Sequence, residues 1–129
     1  MNQTTSRGQA AFTLIELLVV MAIVGLLLSI GVPRYLVSLE KSRDTILKEN
    51  VRVLRTTLDR FYSDKGRFPD ALDELVQQKY LREVPIDPVV ESSQRWVLLP
   101  SSDRDKSGIA DVKSGAPGTA ADGTPYASY

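Results

Sequence analysis

Three observations predict an α+β fold in which one long N-terminal helix carries a small antiparallel sheet on its second half. Residues 12–32 are apolar on every side, as a membrane-spanning helix would be. From Arg34 to about Asp64 the pattern changes to a helical period with one narrow apolar stripe. Beyond Asp64 the chain breaks into short segments punctuated by Gly and Pro, two of which read as strands. Two or three antiparallel strands laid on the striped half of the helix would bury the stripe.

The first eleven residues are polar, rich in Thr, Ser and Gln, and lack apolar period, which predicts no structure. The apolar stretch begins at Phe12. At about 1.5 Å per residue its ~20 residues match a ~30 Å hydrocarbon core. Glu16 interrupts it. A carboxylate inside such a span costs about 2.5–3.5 kcal/mol or more at the bilayer centre, so it calls for a positive partner. A cleavable secretory signal does not fit, because the apolar run is too long and no Ala-x-Ala site follows it. Gly25 and Gly31 weaken the helix by about 1 kcal/mol each relative to Ala. Pro33 removes a backbone hydrogen bond and is expected to kink it. Two readings of residues 25–33 stand together: small residues for close packing in a membrane, or a weak point where the helix can loosen.

Past Pro33, the residues Leu47, Val51, Leu54, Leu58 and Phe61 recur at spacings of four, three, four and three. Lys48, Glu49, Arg52, Arg55, Asp59 and Arg60 supply the solvated face. Gly66 suits a left-handed cap and Pro69 forbids continuation, so the helix ends between Asp64 and Gly66. Asp70 is the predicted N-cap of a short amphipathic helix, roughly Asp70 to Tyr80, with Asp73 and Glu74 in its first turn. Val84-Pro85-Ile86-Asp87-Pro88 predicts an extended connector rather than a central strand. Arg95 to Leu99 and Gly108 to Ser114 are the predicted strands, joined by a polar turn over residues 101–107. After the Gly115–Gly118 turn comes a loop tail, with a third short pairing expected near Tyr126.

Composition narrows the function. The chain has 129 residues, enough for one modest domain after the span. Its formal net charge is zero, with acids and bases interleaved, so nucleic acid finds no patch to bind. Without cysteine there is no disulfide, thiolate nucleophile or thiolate metal site; without histidine the commonest general base is missing. No nucleophile motif is present, and the expectation is a non-enzymatic protein. Trp96, Tyr80 and Phe68 are expected in the core. Arg34, Lys41 and Arg43 lie just after the span against Arg7 before it, so a simple charge count would keep the C-terminal part in the cytoplasm.

Ala11-Phe12-Thr13-Leu14-Ile15-Glu16, continuing Leu-Leu-Val-Val and reaching Pro33, resembles the class III signal of type IV pilins and of type II secretion pseudopilins. Gly66-Arg67-Phe68-Pro69 before Leu72 and Leu75, and the proline connector before Trp96, resemble the major pseudopilin of type II secretion. The likeness covers Ala11 to about Trp96 well and the tail loosely. It implies a pilin-like fold, a leader over residues 1–11, a transmembrane and assembly helix over residues 12–33, and a periplasmic globular domain over residues 34–129. It also implies that a prepilin peptidase cuts between Ala11 and Phe12 and methylates the Phe12 amine. The family usually has Gly before the cut; here stands Ala11, small enough for a Gly subsite. The leader motif overrides the charge count and puts the protein in the bacterial inner membrane, single-pass, with its C-terminal domain outside the cytoplasm.

The implied job is structural: a fibre subunit that drives protein export, assembling with its own copies, minor pseudopilins and an inner-membrane secretion platform. A type IV pilin of a surface or DNA-uptake fibre is the alternative, and a membrane-anchored binding module that never polymerises is a third. The implied assembly residues are Glu16, Gly25 and Pro33, with the Phe12 amine of the same or a neighbouring subunit as the partner of Glu16. Closely spaced acids at Asp103, Asp105 and Asp111 have the oxygen chemistry of a calcium site, and related pseudopilins bind calcium in this region. Arg104 and Lys106 dilute that field, the spacing departs from the usual pattern, and a solvated turn without cofactor is the expectation.

Overall fold

The computed structural model describes residues 13–129; Ala11 and Phe12, and with them the expected cleavage and methylation site, lie outside the described residues. The elements in order are α1 (Leu14–Lys65), α2 (Leu72–Gln77), β1 (Val97–Pro100), β2 (Ile109–Lys113) and a 3-10 turn, Tyr126–Ser128. The chain divides into two units between Leu36 and Val37, and α1 contributes residues to both.

Past Thr13, the described part of the first unit is helix alone. Thr13 starts it: its carbonyl accepts the Leu17 N–H at 3.1 Å and its Oγ1 the Glu16 N–H at 3.3 Å. This is one arm of a capping box, for which Thr13 three residues before Glu16 is the sequence signature. The helix is long and apolar enough to cross a membrane, and none of its most apolar stretch is buried. The helix runs through Gly25, Gly31 and Pro33 without interruption.

The second unit holds the core. Leu47, Val51, Leu54, Leu58 and Phe61 are all buried, so the predicted stripe is the inward face of α1. Leu72 and Leu75 from α2, Trp96, Ile109 and Val112 meet it. Burying a Leu-sized side chain stabilises by about 1.5–3 kcal/mol relative to exposure, so this cluster supplies the main driving force of the unit. Tyr80 sets its ring edge against Phe61 at 5.3 Å, and Phe68 stacks on Tyr62 at 4.6 Å.

Helix α1 ends where Gly66 takes the left-handed conformation at φ 71°. Here α2 departs from expectation in two ways. It covers six residues, and its N-cap is Ala71, which makes no side-chain cap bond. Asp70 instead presents its backbone N–H to Glu74 at 2.8 Å, so the acid inside the helix reaches back rather than the acid before it reaching forward. The helix stops early through a Schellman turn: Tyr80 N–H bonds the Leu75 carbonyl, Lys79 N–H that of Val76, and Lys79 occupies φ 64°. No glycine marks that stop in the sequence.

β1 and β2 form a two-stranded antiparallel sheet, with Val97 opposite Lys113, Leu98 opposite Val112 and Leu99 opposite Asp111. A register shift follows Leu99, and the ladder ends at Pro100, which has no N–H to donate. The strand starts two residues later than Arg95. Trp96 is instead turned inward, its Nε1–H donating to the Pro85 carbonyl at 2.8 Å. The expected third pairing is reduced to a single bridge, Thr119 to Pro125, followed by the 3-10 turn. The tail spends its polar groups on α1 side chains instead of on a third strand.

Two glycines are dictated by space. A Cβ on Gly108, at φ 104°, would stand 2.6 Å from the Phe68 carbonyl oxygen, and one on Gly115 would stand 2.1 Å from that of Arg95. Both let backbone segments close against each other where a side chain cannot fit.

Candidate assembly site

Glu16 lies in the first turn of α1, where the partial positive charge of a helix N-terminus favours an anion. Its neighbours Ile15, Val19 and Val20 line a shallow apolar groove with it. Leu14, Leu17 and Leu18 around it are more than half exposed. Among the described residues Glu16 makes no ion pair. The nearest cation downstream on the helix is Arg34, eighteen residues away, or about 27 Å of helix rise. An acid in an apolar sleeve therefore has no partner among the described residues of its own chain. Gly25 and Gly31 open room on the same helix: a Cβ added at either would meet nothing within 4 Å. Pro33 withholds the donor that the Ser29 carbonyl would otherwise receive, while Ser29 Oγ donates to the Leu26 carbonyl at 2.6 Å.

The second unit carries polar contacts that tie its tail to α1. Asp44 is 7% exposed, one turn before Leu47 on the buried face. Its Oδ1 accepts the Tyr126 hydroxyl at 2.7 Å and its Oδ2 the Ala121 N–H at 2.9 Å. The Tyr126 phenol is pushed up to about 12, first by the bond to the Asp44 carboxylate and then by burial. Lys48 adds an ion pair to Asp122 at 3.8 Å and lies 5.3 Å over the Tyr129 ring. A second buried acid, Asp87, is fully enclosed; its carboxylate accepts the Val89 N–H at 2.9 Å and the Ser114 hydroxyl. Nothing in the local pattern singles out Asp44 or Asp87 by chemistry. The one signal for Asp44 is its place on the apolar stripe.

The three acids considered for calcium are not brought together as one ligand set. Asp103 and Asp105 share an exposed turn, where Asp103 Oδ1 accepts the Asp105 N–H at 3.3 Å and Oδ2 faces Lys106 at 3.6 Å. Asp111 lies on β2 and accepts from Arg55 Nε at 2.8 Å. Among the described residues there is no group of three or more acids placed to hold a metal ion.

Comparison with known proteins bears on this geometry directly. The family described as the prokaryotic N-terminal methylation motif matches residues 6–32, the stretch that contains Glu16. The type IV major pilin protein PilA of Myxococcus xanthus is 38% identical over 64 residues, half of this chain but only 29% of that pilin's length. Type II secretion system core protein G of Aeromonas hydrophila is 31% identical over 98 residues, 64% of this chain and 68% of the relative. The chain belongs to the pilin-like pseudopilin family. Competence protein ComGC of Halalkalibacterium halodurans is also similar, 32% identical over 73 residues, 57% of this chain and 72% of that protein. No solved structure matches the chain. For a pseudopilin the arrangement is coherent: an exposed apolar helix with one acid at its front, and a compact unit built on the remainder of the same helix.

Proposed function

We propose that the chain is a structural subunit of a type II secretion pseudopilus. A prepilin peptidase removes residues 1–11 between Ala11 and Phe12 and methylates the Phe12 amine. Residues 12–33 hold the subunit in the bacterial inner membrane as a single pass, and residues 34–129 form the periplasmic domain. Copies then leave the bilayer and assemble into a periplasmic fibre, with minor pseudopilins and an inner-membrane secretion platform as partners, and the fibre drives protein export. The subunit catalyses no reaction and takes no cofactor.

The observation that carries this reading is Glu16, an acid exposed on an apolar helix and paired with no cation among the described residues of its chain. An unpaired charge in a low-dielectric setting costs several kcal/mol, and a neighbouring Phe12 amine removes that cost. In the membrane the processed chain offers Glu16 only its own Phe12 amine, four residues away; assembly adds that of a neighbouring copy. Gly25 and Pro33 give the helix the local slack to adapt as copies pack.

The test is Glu16→Gln, which keeps the shape and removes the charge. The variant should insert in the membrane like the parent while sedimentable fibre falls at least tenfold. Normal fibre yield from Glu16→Gln would instead favour an anchored module whose helix only tethers. The similarity to PilA and ComGC favours a second reading, a pilin of a surface or DNA-uptake fibre. Gene deletion separates the two: loss of enzyme secretion supports the pseudopilus, and loss of twitching or transformation supports the pilus.

A further inference from the structure

We propose that Arg34, Lys41 and Arg43 form a cationic collar that binds the phosphate headgroups of anionic phospholipids at the surface of the bilayer holding the span. The inference rests on the membrane reading of residues 12–33 and is independent of polymerisation.

Three observations carry it. The first is commitment. Lys48, Arg52 and Arg55, the next three cations along α1, are each held by an acid: Asp122 at 3.8 Å, Glu49 at 2.6 Å and Asp111 at 2.8 Å. Arg34, Lys41 and Arg43 are exposed and form none of the ion pairs among the described residues. The acids beside them do not answer for this. Asp44 is buried with both oxygens engaged by Tyr126 and Ala121, and Asp122, which shares a groove with Lys41, is paired with Lys48, which leaves Glu40 against three cations.

The second is position. All three cations fall within ten residues of Pro33, and side chains on a helix lean toward its N-terminus, here toward the span. Long basic stems reach back in this way to an interface. The third is Tyr35, 66% exposed beside Arg34. A tyrosine at the end of an apolar span is the side chain that settles at headgroup level.

The chemistry fits phosphate. Two guanidinium forks take phosphate oxygens in pairs, and the Lys41 ammonium adds a point charge. The collar also accounts for basic residues on the side of the span that a charge count disfavours: anionic headgroups receive them once they have crossed. Extraction of a subunit into a fibre then releases lipid as well as apolar surface.

The experiment uses the full chain in liposomes of phosphatidylcholine, with or without about 40 mol% phosphatidylglycerol. Resistance to carbonate extraction reports insertion. Acetylation by a membrane-impermeant amine reagent, read by mass spectrometry, reports the collar at Lys41, with Lys65 and Lys79 as internal references. Lys41 should react about fivefold more slowly with phosphatidylglycerol, and about 0.5 M salt should restore its rate. Arg34→Gln/Arg43→Gln should lose most of that protection while remaining inserted. Equal Lys41 rates in the two lipids, with the chain inserted, overturn the proposal. So does equal protection from free inorganic phosphate in phosphatidylcholine alone, or protection that vanishes when protein is diluted in lipid, which would identify a second copy as the occupant. Failure of the chain to insert overturns the membrane reading itself and the collar with it.

Discussion

Asp44 sits where the hydrophobic period calls for an apolar side chain, one turn before Leu47. The period could have marked its position, though the stripe is read only from Leu47; its partners, Ala121 and Tyr126, it could not, because they lie 77 and 82 residues away. No local pattern encodes a contact of that separation. The same holds for Asp87 and Ser114, 27 residues apart. Glu16 is the opposite case: an acid in an apolar run declares itself, and its setting follows from the neighbours. Replacing Asp44 by Ala leaves the Ala121 N–H and the Tyr126 hydroxyl without their acceptor. The expected loss is about 1–3 kcal/mol, visible as a lower urea midpoint. The phenol gives a pH signature. Its folded pKa, about 12, lies above the ordinary tyrosine value, so the fold favours the protonated form. That contribution is fully present below about pH 10 and is lost as pH rises through about 12. Thermal melts from pH 9 to 12 should therefore fall more steeply for the parent than for Tyr126→Phe. At the acid end, Glu74 is held below the usual carboxylate range by Arg67 first and the Asp70 N–H second. Its stabilisation is present above the ordinary carboxylate value and lost as pH falls through the lowered one.

Among the elements, α1 was the most legible because a long period leaves many coincident signals: Leu47, Val51, Leu54, Leu58 and Phe61 are all buried as spacing requires. Leu58→Ala should cost about 2–5 kcal/mol through lost burial and a residual cavity, measured by chemical denaturation. α2 was the least faithful. Its stop at Lys79 uses a left-handed lysine, and a sequence reader looks for glycine there. Lys79→Gly should accordingly raise stability by about 1 kcal/mol, the cost of placing a Cβ in that conformation. The strands existed where expected but shifted, because Trp96 found its partner in the Pro85 carbonyl and Pro100 tolerated an edge position. Gly115→Ala tests the close approach of the β2 exit to Arg95. With a backbone oxygen 2.1 Å from the new Cβ, the segments must separate, and the variant should lose more than about 3 kcal/mol and resist proteolysis poorly.

For the whole molecule, every buried residue from Asp44 onward belongs to the second unit, and the described part of the first contributes none. Residues 37–129 should consequently fold by themselves in water, melting within about 3 °C of the parent in detergent. A soluble fragment that is unfolded by circular dichroism would contradict this. The change from an all-round apolar helix to a striped one was legible because burial and lipid exposure leave different periods in the same helix. The calcium question was not, because ligand sets depend on where loops place their oxygens, and Asp111 is engaged by Arg55.

A mechanical consequence follows from α1 being shared by both units. Traction on the anchor is transmitted along the backbone of that helix, and the first buried side chain it meets in the second unit is Asp44. The load falls on two hydrogen bonds before it reaches any buried leucine, so the C-terminal tail acts as a sacrificial strap. Under an optical trap the chain should show a small, reversible yield ahead of global rupture, and Tyr126→Phe should lower the tension at which that yield occurs.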